Sequence, residues 1–75
     1  MADTTVDARG LQCPMPVIKL SQALKAAGSG QSVELLSTDK GSCSDVPAWA
    51  EDMGFALTES FETDDGVFHF VLLKP

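Results

Sequence analysis

Two cysteines, Cys13 and Cys43, are the residues of this sequence best suited to covalent chemistry. Cys13 begins the tetrapeptide Cys13-Pro14-Met15-Pro16, directly before a helical pattern. If Cys13 is the N-cap residue, Pro14 takes position N1 and Pro16 position N3, where a proline breaks no helical hydrogen bond. The positive end of the helix dipole then favours the thiolate. The turn predicts an accessible, rigidly held sulfur with few hydrogen bonds, suited to accepting and releasing a group.

The rest of the chain argues against several other kinds of thiol chemistry. A Cys–His hydrolase needs a base near the nucleophile, but the one histidine, His69, is predicted to be an ordinary strand residue. Two cysteines 30 positions apart with one distant histidine make a poor zinc site. Thioredoxin-like chemistry needs Cys-x-x-Cys, and Pro16 occupies the fourth position. We therefore expect sulfur or redox exchange, without metal or cofactor; the alternative is an inert, packed Cys13.

Apolar patterns predict the elements that position these thiols in the order βαβαββ. Strands are predicted at 4–8, 32–38, 55–63 and 67–74, and helices at 14–27 and, after a Ser44 N-cap, through Val46, Trp49, Ala50 and Met53. A right-handed crossover makes the first two strands parallel, and an antiparallel hairpin around Asp64-Asp65-Gly66 closes the sheet. The predicted fold class is α/β (α+β): a two-layer sandwich, with a four-stranded mixed sheet and two helices on one face. Residues 1–75 form one domain in this scheme.

The same scheme places both cysteines at one end of the sheet. Cys13 lies between the first strand and first helix, and Cys43 between the second strand and second helix. Open α/β sheets keep their sites at the carboxyl ends of parallel strands. A disulfide between the two thiols requires Cα atoms within about 7 Å of each other. The last strand is apolar on both sides, so the face without helices is either a contact surface or a slightly apolar exterior.

Composition and charge restrict the class of protein. The 75 residues hold 11 acids and 5 bases, a net charge of −6 that disfavours contact with nucleic acid. No stretch approaches the roughly 20 apolar residues of a membrane span. The start Met1-Ala2-Asp3-Thr4-Thr5 shows no signal peptide, so a cytoplasmic location with reduced thiols is expected.

The charge is unevenly distributed along the chain. Residues 1–40 hold four acids and four bases, whereas residues 41–75 hold seven acids and Lys74 alone. Solvation of surface faces explains such a block. Alternatively, the acidic half docks basic partners, and Cys13, near Arg9 and Lys19 in sequence, lies in neutral or positive surroundings.

The segment Arg9-Gly10-Leu11-Gln12-Cys13-Pro14-Met15-Pro16 resembles the Arg-Gly-Leu-x-Cys-Pro-x-Pro signature of the TusA (SirA-like) sulfurtransferases. The resemblance continues through Asp39 and Asp45-Val46-Pro47 to the last strand, and so covers essentially the whole chain. It implies a two-layer α/β sandwich that carries sulfane sulfur as a persulfide. The donor would be a cysteine desulfurase or rhodanese, and a downstream acceptor protein would use the sulfur for tRNA thiolation, cofactor biosynthesis or sulfur oxidation.

The resemblance also assigns roles by position. Cys13 would carry the persulfide, and the supporting positions are Arg9, Gly10, Pro14, Pro16 and Asp45. From the residues alone, Asp45 is also explained as an acid in the first turn of the second helix, with Pro47 at N3. No direct contact with nucleic acid or membrane is implied, and a monomer or weak dimer is expected.

Two positions depart from the family pattern. Met15 stands where an acidic residue is common, and Cys43 lies outside the signature. Cys43 would form a disulfide with Cys13, receive its sulfur, or have no role. The second hypothesis is accordingly a redox switch in which a Cys13–Cys43 disulfide gates a partner. A third is a non-catalytic adaptor that uses the open sheet face and the acidic half.

Overall fold

The computed structural model describes residues 2–75, in which four strands and two helices follow the predicted order. Met1, which the predicted domain and the polar starting segment include, lies outside the described residues. The elements are β1 (Thr4–Ala8), α1 (Met15–Ala26), β2 (Ser32–Ser37), α2 (Ser42–Met53), β3 (Ala56–Glu62) and β4 (Phe68–Leu73). The βαβαββ order predicted from hydrophobic periodicity is confirmed.

The sheet has the strand order β1-β2-β4-β3. β1 and β2 are parallel and β3 and β4 form an antiparallel hairpin, as predicted, while β4 also pairs antiparallel with β2. At one end, a single row of paired residues crosses all four strands: Ala8, Ser37, Phe68 and Glu62. We call this end, with the three connections 9–14, 38–41 and 63–67 that leave it, the thiol edge. Both connections between a parallel strand and a helix therefore lie there.

Both helices pack on the same face of the sheet, α1 against β1 and β2, and α2 against β3 and β4. Alternate residues of β2 and β4 point into the layer between them, because successive side chains of a strand face opposite ways. The buried cluster consists of Ala8, Leu20, Leu24, Val33, Leu35, Val46, Ala50, Phe68, Phe70 and Leu72. The predicted two-layer sandwich with a mixed sheet is confirmed.

Helix α1 begins later than predicted. Its N-cap residue is Pro14, not Cys13, and the Cys13–Pro14 peptide bond is cis. Pro16 is therefore the second residue of the helix, where its missing N–H still breaks no helical bond. Cys13 belongs to the connection that precedes the cap.

Helix α2 begins earlier than predicted, at Ser42 with Gly41 as N-cap, and not after Ser44. The reason is that the connection itself winds into the first turn: the Ser42 N–H donates to the Asp39 carbonyl at 3.1 Å. Pro47 consequently lies inside the helix and not at N3. Cys43, expected between strand and helix, is the second residue of α2.

Lys74 closes the carboxyl end of α1. Its ammonium Nζ donates to the Ala27 carbonyl at 2.8 Å and to the Lys25 carbonyl at 3.4 Å, where the helix leaves acceptors unsatisfied and its dipole is negative. We expect Lys74→Met to lower the free energy of unfolding by about 0.5–1 kcal/mol in a urea titration. The control is Lys40→Met, which removes the same charge from an exposed lysine; an equal loss in both variants would contradict a capping role.

Candidate functional site

The connection that carries Cys13 is tied to the neighbouring connection by hydrogen bonds. Gly10 has a φ of 82°, a left-handed conformation that favours glycine. Its N–H donates to the Thr38 hydroxyl at 2.9 Å. The Leu11 N–H donates back to the Ala8 carbonyl at 3.2 Å. The tight turn after β1 thus fixes the start of the loop against the end of β2.

The backbone of Cys13 is anchored through Asp39 to a buried pair of serines. The Cys13 N–H donates to Asp39 Oδ2 at 3.0 Å, and the Asp39 N–H donates to the Ser37 hydroxyl at 3.2 Å. The Ser37 and Ser42 hydroxyl oxygens are 2.8 Å apart, and both residues are buried. This series of hydrogen bonds links the exposed thiol to the core of the domain.

Sequence reasoning missed this buried anchor. Asp39 enters the family resemblance but was not predicted as a site residue, and Ser37 and Ser42 were not singled out. One signal was available: Val33, Leu35 and Ser37 alternate along β2, so the pattern directs Ser37 towards the core. A serine at such a position needs a hydrogen-bond partner.

The Cys13 side chain is exposed and donates a hydrogen bond from Sγ to Asp45 Oδ2 at 2.7 Å. This bond to the neutral thiol raises the pKa of Cys13, with further upward contributions from desolvation and from the charges of Asp45 and Asp39. The expectation of neutral or positive surroundings favouring the thiolate is therefore wrong. The first turn of α2 brings the Asp45 carboxylate within 2.7 Å of the sulfur.

Arg9 is engaged by Asp7. Its guanidinium makes two hydrogen bonds of 2.8 Å to the Asp7 carboxylate, and its backbone N–H adds a third at 3.1 Å. The side-chain bond and then the backbone bond lower the pKa of Asp7 to about 2. Asp7 alternates with the core residue Ala8 and so belongs to the sheet face without helices. The charge of Arg9 is compensated there.

The remaining predicted positions differ in their exposure to solvent. Pro14 is exposed and Pro16 is buried under the first turn of α1, while Met15 between them is 41% exposed. Cys43 is an exposed free thiol on α2, as Cys13 is in its connection. The Cys13–Cys43 disulfide stays a prediction.

The open face, the sheet surface without helices, carries His69. Its ring stacks on Phe61 with centroids 4.6 Å apart, and its Nδ1 lies 3.3 Å from Glu34 Oε2. His69 is a strand residue, as predicted, and it lies on the face opposite the core. Phe61 is 47% exposed and Leu73 is 38% exposed, so part of the apolar character of this face is accessible to solvent.

The site is a surface feature. Residues 2–75 enclose no pocket, and no three histidine, cysteine or acidic side chains among them lie close enough to share a metal ion. What the site offers is one exposed thiol, fixed through its backbone and hydrogen-bonded to a carboxylate. Such a sulfur can react with a sulfur atom presented at the surface by another molecule.

Comparison with known proteins gives matches along nearly the whole chain. The family described as sulfurtransferase TusA matches residues 4–74. The sulfur carrier protein TusA of Allochromatium vinosum is 42% identical over 72 residues, which are 96% of this chain and 93% of that protein. The putative sulfur carrier protein YrkI of Bacillus subtilis is 42% identical over 65 residues, 87% of this chain and 84% of that protein.

A solved structure is also similar. The crystal structure of a SirA-like protein from Desulfitobacterium hafniense superposes with a TM-score of 0.83 and 36% sequence identity. The superposition covers 92% of this chain and 93% of that one. The two-layer fold with its mixed sheet is therefore shared with this SirA-like protein.

Proposed function

Because this chain belongs to the TusA family of sulfurtransferases, it is a sulfur carrier, and we propose that Cys13 holds the carried sulfur as a persulfide. The observation that supports this residue is its combination of exposure and fixed position. Cys13 is a free, exposed thiol, and its N–H is held at 3.0 Å by Asp39. Cys43 is also exposed, but it lies outside the Cys-Pro-x-Pro turn.

The proposed reaction conserves electrons and atoms. The Cys13 sulfur attacks the terminal sulfur of a persulfide on the donor protein, and the sulfur–sulfur bond of that donor breaks. A persulfide forms on Cys13, the donor cysteine leaves as a thiolate, and that thiolate takes up a proton equivalent to the one Cys13 gives up. An acceptor thiol then attacks the terminal sulfur on Cys13 in the same way. The sulfane sulfur changes carrier without an external oxidant.

The donor proposed for this step is a cysteine desulfurase or a rhodanese, and the acceptor is a further protein of a sulfur relay. We propose a cytoplasmic location, where thiols are kept reduced, and a role in tRNA thiolation, cofactor biosynthesis or sulfur oxidation without direct contact with RNA. No helix between residues 2 and 75 is long and apolar enough to cross a membrane.

Mass spectrometry of the intact protein tests the role of Cys13. After incubation with a cysteine desulfurase and cysteine, or with a rhodanese and thiosulfate, the reduced protein should gain one sulfur atom. Cys43→Ser should gain it equally and Cys13→Ser should gain none, because only one position carries the persulfide. No gain with either donor, or an equal gain in Cys13→Ser, would overturn the proposal.

Mild oxidation of the same reduced protein separates the carrier from the redox switch. A switch loses both free thiols together as the disulfide forms. A carrier loaded on Cys13 retains the thiol of Cys43, which maleimide labelling followed by peptide mass spectrometry assigns to that residue.

A further inference from the structure

Acidic side chains are concentrated at the thiol edge. Its connections, the end row of the sheet and the first turn of α2 contain five acids: Asp39, Asp45, Glu62, Asp64 and Asp65. They contain two bases, Arg9 and Lys40, and Arg9 is already paired with Asp7. Within residues 2–75, neither Asp39 nor Asp45 forms an ion pair. The part of the surface that a sulfur donor must approach therefore carries an uncompensated negative charge.

Two of these carboxylates belong to the immediate surroundings of the sulfur. Asp45 Oδ2 is 2.7 Å from Cys13 Sγ, and Asp39 Oδ2 is 3.0 Å from the Cys13 nitrogen. Gly41 lies between the two carboxylates, since a methyl group added there would meet Asp39 Oδ2 at 3.1 Å and Asp45 Oδ2 at 3.7 Å. Both acids are only half exposed. Their charges act on the reacting atom and are not dispersed over a solvated surface.

We propose that Asp39 and Asp45 make Cys13 selective for sulfur partners that present a positive charge beside their own reacting sulfur. This inference rests on the proposed function and adds the chemical class of the partner: a cationic thiol, persulfide or disulfide surface. When the Cys13 sulfur attacks, negative charge spreads over the attacking, central and leaving sulfurs. The two carboxylates oppose that charge, and a lysine or arginine of the partner compensates them.

The size of the effect follows from Coulomb's law. One pair of unit charges 4 Å apart in water changes an equilibrium by about fivefold, and two carboxylates acting on one cation change it by more. The selectivity between a cationic and an anionic partner should therefore exceed tenfold at low salt. It should fall as the ionic strength rises, because the Debye length shrinks from about 10 Å at 0.1 M to about 3 Å at 1 M.

Small disulfides of different charge test the inference without a protein partner. The probes are cystamine, which carries two ammonium groups, and dithiodipropionate, which carries two carboxylates. In each case the Cys13 thiolate attacks one sulfur of the probe, a mixed disulfide forms and the other half leaves as a thiolate. Rates are measured by intact mass spectrometry on the Cys43→Ser protein. They are divided by the rates of an acetylated and amidated peptide with residues 11–16, which has no charged side chain and so removes the intrinsic reactivity of each probe.

We expect the normalised ratio of cystamine to dithiodipropionate to exceed about tenfold at low salt and to approach one at 1 M salt. Asp45→Asn and Asp39→Asn should each reduce the ratio several-fold. Glu51→Gln with Asp52→Asn, which removes two charges from the far end of α2, should leave it unchanged. A normalised ratio within twofold of one would overturn the inference. So would a reduction of the ratio by the control pair as large as that caused by Asp45→Asn or Asp39→Asn. The probes contain no sulfane sulfur, so selectivity without persulfide loading would refute only the proposed function.

Discussion

Asp45→Asn is expected to make Cys13 several-fold more reactive towards iodoacetamide at neutral pH, because it lowers the pKa of the thiol and so raises the thiolate fraction. In the wild type, the Sγ–H hydrogen bond to Asp45 stabilises the neutral thiol, and the carboxylate charge opposes the thiolate. Both effects raise the pKa of Cys13. Asparagine retains the size of the side chain, removes its charge and can donate a hydrogen bond to the thiolate.

The direction of the pH dependence follows from the sign of that shift. A raised pKa moves the formation of the wild-type thiolate to higher pH, and Asp45→Asn moves the alkylation profile towards lower pH. At a pH above both pKa values the order reverses, since intrinsic thiolate reactivity falls with falling pKa by a Brønsted factor of about 0.4–0.5. The two profiles should therefore cross.

Asp52→Asn is the matched control, because it removes the same charge from an exposed residue at the other end of α2. Its alkylation profile should coincide with the wild type. An Asp45→Asn profile that does not move would contradict an effect of Asp45 on the thiol, and slower alkylation at neutral pH would mean that Asp45 assists removal of the proton.

The contact between Cys13 and Asp45 shows why the electrostatics of the site could not be predicted from sequence. The two residues are 32 positions apart, and their contact depends on how the two strand–helix connections meet at the sheet edge. Arg9 is close to the thiol in sequence, but its guanidinium pairs with Asp7. Asp7 belongs to β1 and lies on the sheet face without helices. The order of residues along the chain predicted that a thiol precedes α1. The charged side chains around that thiol are determined by tertiary contacts.

Local patterns were sufficient for the elements and insufficient for the strand order. Alternation and turn signals predict each strand, and the short connections leave few topologies for β1, β2 and the hairpin. These patterns do not indicate whether β3 or β4 pairs with β2. In the structure, Val71 of β4 lies on the open face and yet is only 8% exposed. The reason is that β4 is a central strand, so that Glu34 and Glu59 on the neighbouring strands flank Val71. An apolar pattern on both sides of β4 thus reflects, in part, its place inside the sheet.

The same central position makes Phe70 the side chain whose removal should cost most. Phe70 is 1% exposed and pairs with Leu35 of β2. Truncation of a buried phenylalanine to alanine costs about 3–5 kcal/mol. Small domains have total stabilities near the low end of about 5–15 kcal/mol. Phe70→Ala should therefore be largely unfolded or retain a small residual stability, as measured by urea titration with circular dichroism.

Phe61→Ala is the control for that loss, because it removes the same side chain from β3, where Phe61 is 47% exposed. Its cost should stay at about 1 kcal/mol or less, the range of a partly exposed aromatic contact. Equal urea midpoints for the two variants would contradict the assignment of Phe70 to the core. β2 continues from Leu35 to Ser37, which supports Asp39 and through it Cys13. Alkylation of Cys13 in Phe70→Ala should consequently follow the unfolded fraction, whereas in Phe61→Ala it should keep the pH profile that Asp45 imposes.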